Sequence, residues 1–197
     1  MAKRLFDLLF SALGLLLLGP FLLLIALLIK LDSKGSVFFR QERIGLGGKP
    51  FMIHKFRTMV TDAEQRGLQL TVGVDQRITR IGHWLRKNKL DELPQLLDVF
   101  SGRMSLVGPR PEVPKYVALY PRDLFDIIYS VRPGITDLAS IEYRDENSIL
   151  GQADDPEKAY IETVMPAKLE YYRRYVEQQS LLLDIQIILR TIGAIMR

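Results

Sequence analysis

The chain contains no cysteine and only two histidines among its 197 residues. The lack of thiols excludes a disulfide framework, a thiolate zinc site and a cysteine nucleophile. Two imidazoles also argue against a metal site built mainly from histidine. Because 48% of the residues are hydrophobic and 25% are charged, the composition excludes collagen-like, low-complexity and largely disordered classes. The length predicts a single domain.

Positive charge is concentrated in the first part of the chain. The first 110 residues carry a net charge of +8, and the remaining 87 carry −4. Most of the excess lies in two basic blocks, 34–57 and 77–110. Such blocks attract nucleic acid, anionic lipid head groups or phosphorylated small molecules. We expect no nucleic-acid partner, because base stacking needs aromatic residues among the basic ones. The basic run at 77–89 offers only Trp84, which we expect in the core.

Residues 8–29 contain no charged side chain. This run is long enough to cross a hydrocarbon core of about 30 Å as one helix. A signal peptide is disfavoured because no small-residue cleavage site follows. Gly19 and Pro20 lie in the middle of the run, where proline should kink or break the helix. Both flanks are basic, with Lys3 and Arg4 before the run and Lys30, Lys34, Arg40 and Arg43 after it.

We therefore predict a re-entrant membrane helix–break–helix over residues 1–33, with the break at Gly19 and Pro20. Residues 34–197 are predicted to form a cytoplasmic catalytic domain that includes interfacial helices. The alternative is a single span kinked by proline, which would place the two basic flanks on opposite sides of the membrane.

The rest of the chain predicts a small α+β domain that is mostly helical. Strands over 36–43 and 51–56, joined by a glycine-rich turn, form a short β-hairpin. Helices are predicted over 61–67, 78–87, 90–100, 115–129 and 156–179, the last interrupted at Pro166. The C-terminal helix over 181–196 is amphipathic and either packs on the domain or lies in the membrane interface. Its apolar stripe comprises Leu182, Ile185, Leu189, Ile192 and Ile195.

An acidic pair, Asp91 and Glu92, opens the predicted helix at 90–100. Nearby cations and the helix dipole favour the ionised carboxylates. An ionised aspartate can ligate Mg²⁺ or attack phosphorus, and arginines can neutralise phosphate oxygens, so the set suits phosphoryl transfer. Ordinary stabilisation of a helix N-terminus is the alternative. The surrounding basic residues are Arg77, Arg80, Arg86, Lys87, Lys89, Arg103 and Arg110.

Other basic residues lie at positions suited to anion binding. Arg110 stands between two prolines, whose stiff backbone suits a fixed phosphate contact. Lys55 and Arg57 share one face of the second strand, where phosphate binding, lipid head-group binding and plain solvation all remain open. His54 points to the opposite face, and we expect a structural role for it.

Four motifs occur in order along the chain: KFRTM at 55–59, LDELPQL at 90–96, MSLVGPRP at 104–111 and RPGIT at 132–136. Together they make the chain resemble the bacterial sugar transferases, the monotopic polyprenyl-phosphate phosphoglycosyl transferases, in their small form. The resemblance covers nearly the whole chain. It implies a location at the bacterial inner membrane, with the catalytic domain on the cytoplasmic face, and a role in initiating O-antigen, capsule or exopolysaccharide assembly.

The resemblance also implies a two-step reaction. Asp91 would attack a nucleoside diphosphate-sugar, usually a UDP-sugar, release UMP and hold the phosphosugar until polyprenyl (undecaprenyl) phosphate accepts it. Asp91 and Glu92 would form the catalytic dyad and hold Mg²⁺. Membrane lipids are further partners, and a homodimer is left open. The implied substrate-binding residues are Lys55, Arg57, Arg80, Arg86, Arg110, Arg132, Thr136 and Arg144.

Two positions depart from the family pattern. Gly19 stands where the re-entrant helix often has serine, and Asp137 follows Thr136 where glycine is frequent. The second departure leaves the identity of the sugar open. The alternative function is a membrane-anchored scaffold or binding protein that recruits a glycan-assembly partner through its C-terminal helices.

Overall fold

The computed structural model describes residues 1–63, 75–143 and 146–195. Its first element, α1, is a single helix over Ala2–Asp32 that runs through Pro20 without a non-helical residue. The predicted interruption at Gly19 and Pro20 therefore does not divide the segment into two separate helices. By length and composition, α1 is the one helix among the described residues that could cross a membrane.

Both ends of α1 form hydrogen bonds or ion pairs with residues that are distant in sequence. Near the N-terminal end, Lys3 forms an ion pair with Asp184 at 2.6 Å, and Asp7 accepts a hydrogen bond from the Leu106 amide at 3.0 Å. Near the C-terminal end, Asp32 accepts a hydrogen bond from the Ile81 amide at 3.0 Å. Between these contacts, most leucine side chains of α1 are exposed.

Strands β1 (Phe38–Ile44) and β2 (Pro50–Phe56) form an antiparallel hairpin. The turn between them is a 3₁₀ helix over Leu46–Gly48, in which Gly47 and Gly48 have positive φ angles of 65° and 74°. A residue with a side chain would be strained in that conformation. The predicted hairpin and its glycine-rich turn are confirmed, with strand ends shifted by one or two residues.

Helix α2 (Arg80–Lys87) begins at Thr79, whose hydroxyl accepts a hydrogen bond from the Gly82 amide. A 3₁₀ helix over Leu90–Gln95 then leads directly into α3 (Leu96–Phe100). The predicted helix at 90–100 thus consists of a tighter 3₁₀ segment, which contains Pro94, and a short α-helix. Trp84 is 43% exposed, so the expectation that it lies in the core is wrong.

A second, two-stranded sheet was not predicted. Strands β3 (Ser105–Val107) and β4 (Gly134–Thr136) pair in parallel. Their backbones approach so closely that a Cβ atom on Gly134 would lie 2.1 Å from the Gly108 amide nitrogen. This pairing brings the motif at 104–111 beside the motif at 132–136.

The remaining helices form a layer around the larger hydrophobic core. The predicted helix at 115–129 is two helices, because Pro121 lies between them as the N-cap of the second. The predicted segment 156–179 is interrupted, but by a π-helix over Tyr160–Val164 and not at Pro166, which lies in the first turn of the α-helix that follows. Only the turn at 61–63 of the predicted helix at 61–67 falls within the described residues. The layer comprises α4 (Pro114–Val117), α5 (Arg122–Ile128), α6 (Leu138–Glu142), α7 (Glu146–Gly151), α8 (Pro156–Ala159) and α9 (Met165–Gln178). The last helix, α10 (Leu181–Ile195), packs instead on a smaller hydrophobic cluster that includes Val107 and Tyr175.

Helix α10 faces the domain with Ile187, which is fully buried. The predicted apolar stripe lies elsewhere on the helix, and its members Leu182, Ile185, Leu189 and Ile192 are exposed. Packing of these four side chains against the domain is therefore excluded as the reason for the stripe. The side chain of Ile195 lies outside the described part of the chain.

Candidate active site

Asp91 and Glu92 lie in the first turn of the 3₁₀ helix at 90–95. The chain enters this turn through Lys89, whose φ of 56° is the left-handed conformation and reverses the chain direction after α2. Strand β2 packs against the 3₁₀ helix and carries Lys55 towards it. The tight turn therefore presents two adjacent carboxylates to the end of the hairpin.

Glu92 is held by two cations. Arg110 Nη1 donates to Glu92 Oε2 at 3.1 Å, Arg110 Nη2 donates to Oε1, and Lys55 Nζ donates to Oε1 at 2.8 Å. Burial by itself would raise the pKa of Glu92, but the charges of Arg110 and Lys55 and their hydrogen bonds outweigh it and keep that pKa well below its usual range. The charge of Glu92 in turn raises the pKa of Arg110. Glu92 is therefore held as an ionised carboxylate.

Asp91 has a different environment from its neighbour. Within the described ranges, its carboxylate accepts no hydrogen bond and forms no ion pair. Burial, followed by the negative charge of Glu92, raises the pKa of Asp91 above its usual range, although Lys55, Arg86 and Arg110 act in the opposite direction. The lowered pKa of Glu92 agrees with the expected ionised carboxylate, whereas at Asp91 burial and the charge of Glu92 outweigh the effect of the cations on the pKa. A more basic carboxylate with free oxygens is suited to nucleophilic attack.

The structure brings three of the eight predicted substrate-binding residues to the acidic pair. Lys55 and Arg110 bind Glu92 directly. Arg86 donates from Nε to the Thr58 hydroxyl at 2.8 Å, and the charge of Asp91 acts on its pKa, which burial lowers. Three cations therefore surround the space next to Asp91, where an anionic substrate would carry its phosphates.

Three of the other predicted substrate-binding residues form their hydrogen bonds elsewhere. Arg57 is buried and donates to the Ser33 and Lys34 carbonyls at 2.7 and 2.6 Å, so it binds the chain just after α1. Arg132 donates to the Gly102 carbonyl at 2.8 Å, and the Thr136 hydroxyl is 2.6 Å from that of Thr191. Arg80 is exposed on α2. Arg144 lies outside the described residues.

One positioning residue was not anticipated from the sequence. Asp98 on α3 is fully buried and accepts hydrogen bonds from the His54 amide at 2.9 Å, His54 Nδ1 at 2.8 Å and Arg103 Nε at 3.1 Å. It therefore ties β2 to α3 next to Lys55, which agrees with a structural role for His54. The sequence signal was a single acidic residue among apolar neighbours in a short helix.

The two carboxylates of the acidic pair suit a magnesium ion in their chemistry, but they are too few to hold it alone. The described residues contain no group of three or more histidine, aspartate or glutamate side chains placed to hold a metal. Mg²⁺ commonly uses one or two carboxylates and takes its other ligands from water and substrate phosphates. The Asp91 oxygens are free for this, and Glu92 Oε2 accepts only one hydrogen bond, which leaves it a second lone pair. Asp91 and Glu92 could therefore hold the ion only together with a bound substrate or water.

The chain is similar to known proteins along its whole length. A family model described as "Bacterial sugar transferase" matches residues 1–197. The UDP-N-acetylgalactosamine-undecaprenyl-phosphate N-acetylgalactosaminephosphotransferase of Aeromonas hydrophila is 39% identical over 98% of this chain and 43% of its own length. The UDP-glucose:undecaprenyl-phosphate glucose-1-phosphate transferase of Klebsiella pneumoniae is 41% identical over 96% of this chain and 39% of its own length.

A third relative is close to this chain in length. The exopolysaccharide production protein PSS of Rhizobium leguminosarum bv. phaseoli is 41% identical, and the match covers 96% of this chain and 92% of that protein. The chain thus spans about two fifths of the first two relatives and nearly all of the third. With a family model matched from the first residue to the last, the chain belongs to the bacterial sugar transferase family.

Proposed function

We propose that the protein transfers a phosphosugar from a UDP-sugar to undecaprenyl phosphate and releases UMP. The observation that carries this proposal is the division of the acidic pair: Glu92 is neutralised by Arg110 and Lys55, while the Asp91 carboxylate remains free among the same cations. The names of the relatives, which are undecaprenyl-phosphate sugar phosphotransferases, support the same reaction.

In the first step, a carboxylate oxygen of Asp91 attacks the phosphorus that carries the sugar. The new oxygen–phosphorus bond forms as the bond from that phosphorus to the oxygen bridging the two phosphates breaks. The bridging oxygen leaves with the electron pair as part of UMP. The phosphosugar is then held on Asp91 as an acyl phosphate.

In the second step, an oxygen of undecaprenyl phosphate attacks the same phosphorus. The bond to Asp91 breaks, the carboxylate is regenerated, and the product is an undecaprenyl diphosphate carrying the sugar. Because the reaction is divided into two displacements, Asp91 takes the phosphosugar from the soluble donor first and passes it to the lipid acceptor afterwards.

The basic residues stabilise charge that develops on the phosphate oxygens. Arg110 donates to Glu92 with one edge of its guanidinium group, and Arg86 contributes a second positive charge near Asp91. Fixed cations in a partly buried site act more strongly than in water and need no reorganisation during the reaction. A magnesium ion held by Asp91 and Glu92 would supply further charge neutralisation on the diphosphate.

The lipid acceptor requires the site to lie at a membrane. The exposed leucines along α1 offer a surface for the hydrocarbon region of the membrane. The exposed apolar stripe of α10 offers a surface for the boundary between that region and the lipid head groups. Both ends of α1 bond to the same domain, which supports a re-entrant topology in which the helix enters and leaves on one face. We place that face on the cytoplasmic side of the bacterial inner membrane, because its flanks are basic.

The proposal is tested by covalent labelling. The purified chain is incubated with UDP-sugars radiolabelled in the sugar, one at a time and without undecaprenyl phosphate. With the correct donor we expect label on the protein, at most one per chain, and UMP in equal amount. Hydroxylamine should release the label because it cleaves acyl phosphates, and undecaprenyl phosphate should move it to the lipid fraction.

Two outcomes would overturn parts of this proposal. Release of UMP only after addition of undecaprenyl phosphate, with no covalent label on the quenched protein, would indicate direct transfer. No release of UMP with any UDP-sugar, in the presence of the lipid, would favour the scaffold function.

A further inference from the structure

Arg110 is part of a backbone segment that is fixed on both sides. Before it, the Gly108 amide donates to the Thr136 carbonyl at 3.1 Å, and the Pro109 carbonyl accepts from the Gly134 amide at 2.9 Å. After it, the Glu112 carbonyl accepts from the Ile44 amide at 3.0 Å. The parallel sheet therefore holds one side of Arg110, and the end of β1 holds the other.

Glu112 also uses its side chain to hold this segment. Its Oε1 atom accepts from Arg43 Nη1 at 3.1 Å and from the Val113 amide at 2.8 Å, and its Oε2 atom accepts from the Tyr160 hydroxyl at 2.6 Å. Burial would raise the pKa of Glu112, but the charges of Arg43 and Lys168 and the hydrogen bonds hold it below its usual range. Glu112 is therefore a half-buried, ionised carboxylate two residues after Arg110.

Arg43 joins the carboxylate to the backbone. The same Nη1 atom that donates to Glu112 also donates to the Pro111 carbonyl at 3.0 Å, and Nη2 donates to Gln41 at 2.7 Å. A guanidinium group can make these bonds together because its donors are held in one plane. Arg43 thus fixes the backbone of Pro111, the residue directly after Arg110.

Tyr160 brings in the C-terminal half of the chain. It is the first residue of the π-helix at Tyr160–Val164, its side chain is 2% exposed, and its ring packs against that of Tyr116 with centroids 4.9 Å apart. π-Helical turns inside α-helical segments frequently occur at functional sites. Here the π-helical turn carries the Tyr160 hydroxyl group that donates to the Glu112 carboxylate.

We propose that Arg43, Glu112 and Tyr160 form a clamp that positions Arg110 for the transfer reaction, with Glu112 as its central residue. These residues act through the backbone at 110–112, and within the described part of the chain none of them forms a hydrogen bond or ion pair with the acidic pair. The clamp explains how helices that contribute no side chain to Glu92 still determine where its guanidinium partner lies. The inference rests on the proposed function, because the contribution of Arg110 to turnover belongs to that function.

The test compares Tyr160→Phe with Tyr116→Phe. Each change removes one hydroxyl from the same aromatic pair, but the Tyr116 hydroxyl donates to Glu157 at 3.2 Å and not to Glu112. We expect Tyr160→Phe to lower kcat by about tenfold, because a small displacement of a transition-state contact costs up to ~100-fold in rate. KM for the UDP-sugar should stay within about twofold, since the change affects orientation and not ground-state binding. Tyr116→Phe should leave both constants unchanged.

A second variant and a double variant sharpen the test. Arg43→Lys keeps the charge, but its ammonium ends one bond short of the Nη1 position and has no second nitrogen to hold Gln41, so it should lower kcat in the same way even if Tyr160→Phe folds poorly. Tyr160→Phe combined with Glu112→Gln should cost little more than Glu112→Gln alone, because both changes break one network. Melting temperatures measured in parallel identify any variant whose rate falls through unfolding.

Amide hydrogen exchange provides a readout that does not depend on activity. In Tyr160→Phe, exchange at 110–113 should be faster than in the unchanged chain and in Tyr116→Phe. If the unchanged chain shows no transferase activity, the proposed function fails while the exchange result still decides the clamp. Normal transferase activity with unchanged exchange and unchanged kcat in Tyr160→Phe would overturn the clamp alone. Equal losses of kcat in the two tyrosine variants, or a loss confined to KM, would also overturn it.

Discussion

Arg110 and Glu92 form a bidentate ion pair, in which Nη1 donates to Oε2 at 3.1 Å and Nη2 donates to Oε1. This geometry uses both oxygens of Glu92 and none of Asp91. Two carboxylates that are adjacent in sequence therefore have different environments. Glu92 is paired with a guanidinium group, whereas the Asp91 oxygens accept no hydrogen bond from the described residues.

The nucleophile is tested by Asp91→Asn. The amide keeps the shape of the side chain but cannot form an acyl phosphate, so covalent label and turnover should both be lost. Asp126→Asn, a change on an exposed side chain paired with Arg122, is the matched control and should label normally. Label that persists in Asp91→Asn would assign the nucleophile to Glu92 instead.

The pH dependence of labelling follows from the pKa of Asp91. Because burial raises that pKa, the nucleophile becomes protonated at a higher pH than an ordinary aspartate, whose pKa is about 3.9. The rate of label formation should therefore fall as the pH drops through this raised value. Lys55→Met removes a cation that lowers the pKa of Asp91, so the acid limb should move to higher pH.

The control for Lys55→Met is Lys49→Met, because Lys49 is exposed at the hairpin turn. This variant should leave the acid limb where it is. Both profiles are measured at one magnesium concentration. An acid limb that moves to lower pH in Lys55→Met would contradict the assigned electrostatics.

Magnesium dependence is the third expectation. Two carboxylates and a diphosphate supply hard oxygen ligands, and the chain has no thiols and few imidazoles. Excess chelator should therefore stop label formation, and added Mg²⁺ should restore it. Full activity in excess chelator would exclude a required divalent ion.

The parallel pairing of β3 and β4 depends on two glycines. Gly134→Ala would place a methyl group 2.1 Å from the Gly108 nitrogen, and the backbone cannot move aside without breaking the pairing. We expect the free energy of unfolding to fall by about 1–3 kcal/mol, as overpacked cores do. Gly193→Ala in α10 meets no atom within 4 Å and should be neutral or stabilising. Chemical denaturation of both variants checks this, and equal stabilities would contradict the close approach.

Topology is tested with single cysteines, since the chain has none of its own. Because both ends of α1 bond to the same domain, Ala2→Cys in intact cells should react only with membrane-permeant reagents. Replacing Gly19 and Pro20 with leucine removes the proline and should let the helix cross the membrane, which exposes the same cysteine to impermeant reagents. Labelling of Ala2→Cys from outside in the otherwise unchanged chain would show a single span.

Features that depend on neighbouring residues could be predicted from the sequence. The hairpin follows from alternating strands and a glycine-rich turn, and the apolar helix follows from 22 uncharged residues. Expectations that depended on distant packing were less successful. Trp84 lies at the surface because the side of α2 that packs on α1 is formed by Leu85 instead.

The sequence by itself determined which residues are available for the chemistry: an acidic pair, basic residues around it and no thiol. Only the tertiary structure decided how they are paired. Glu92 binds Lys55, 37 positions before it, and Arg110, 18 positions after it, because the hairpin and the β3–β4 pair bring these segments to one turn. Contacts at such separations depend on packing of the whole chain and leave no periodic pattern in the sequence. For the same reason, only the folded chain shows that Lys55 and Arg110 pair with Glu92 and not with Asp91.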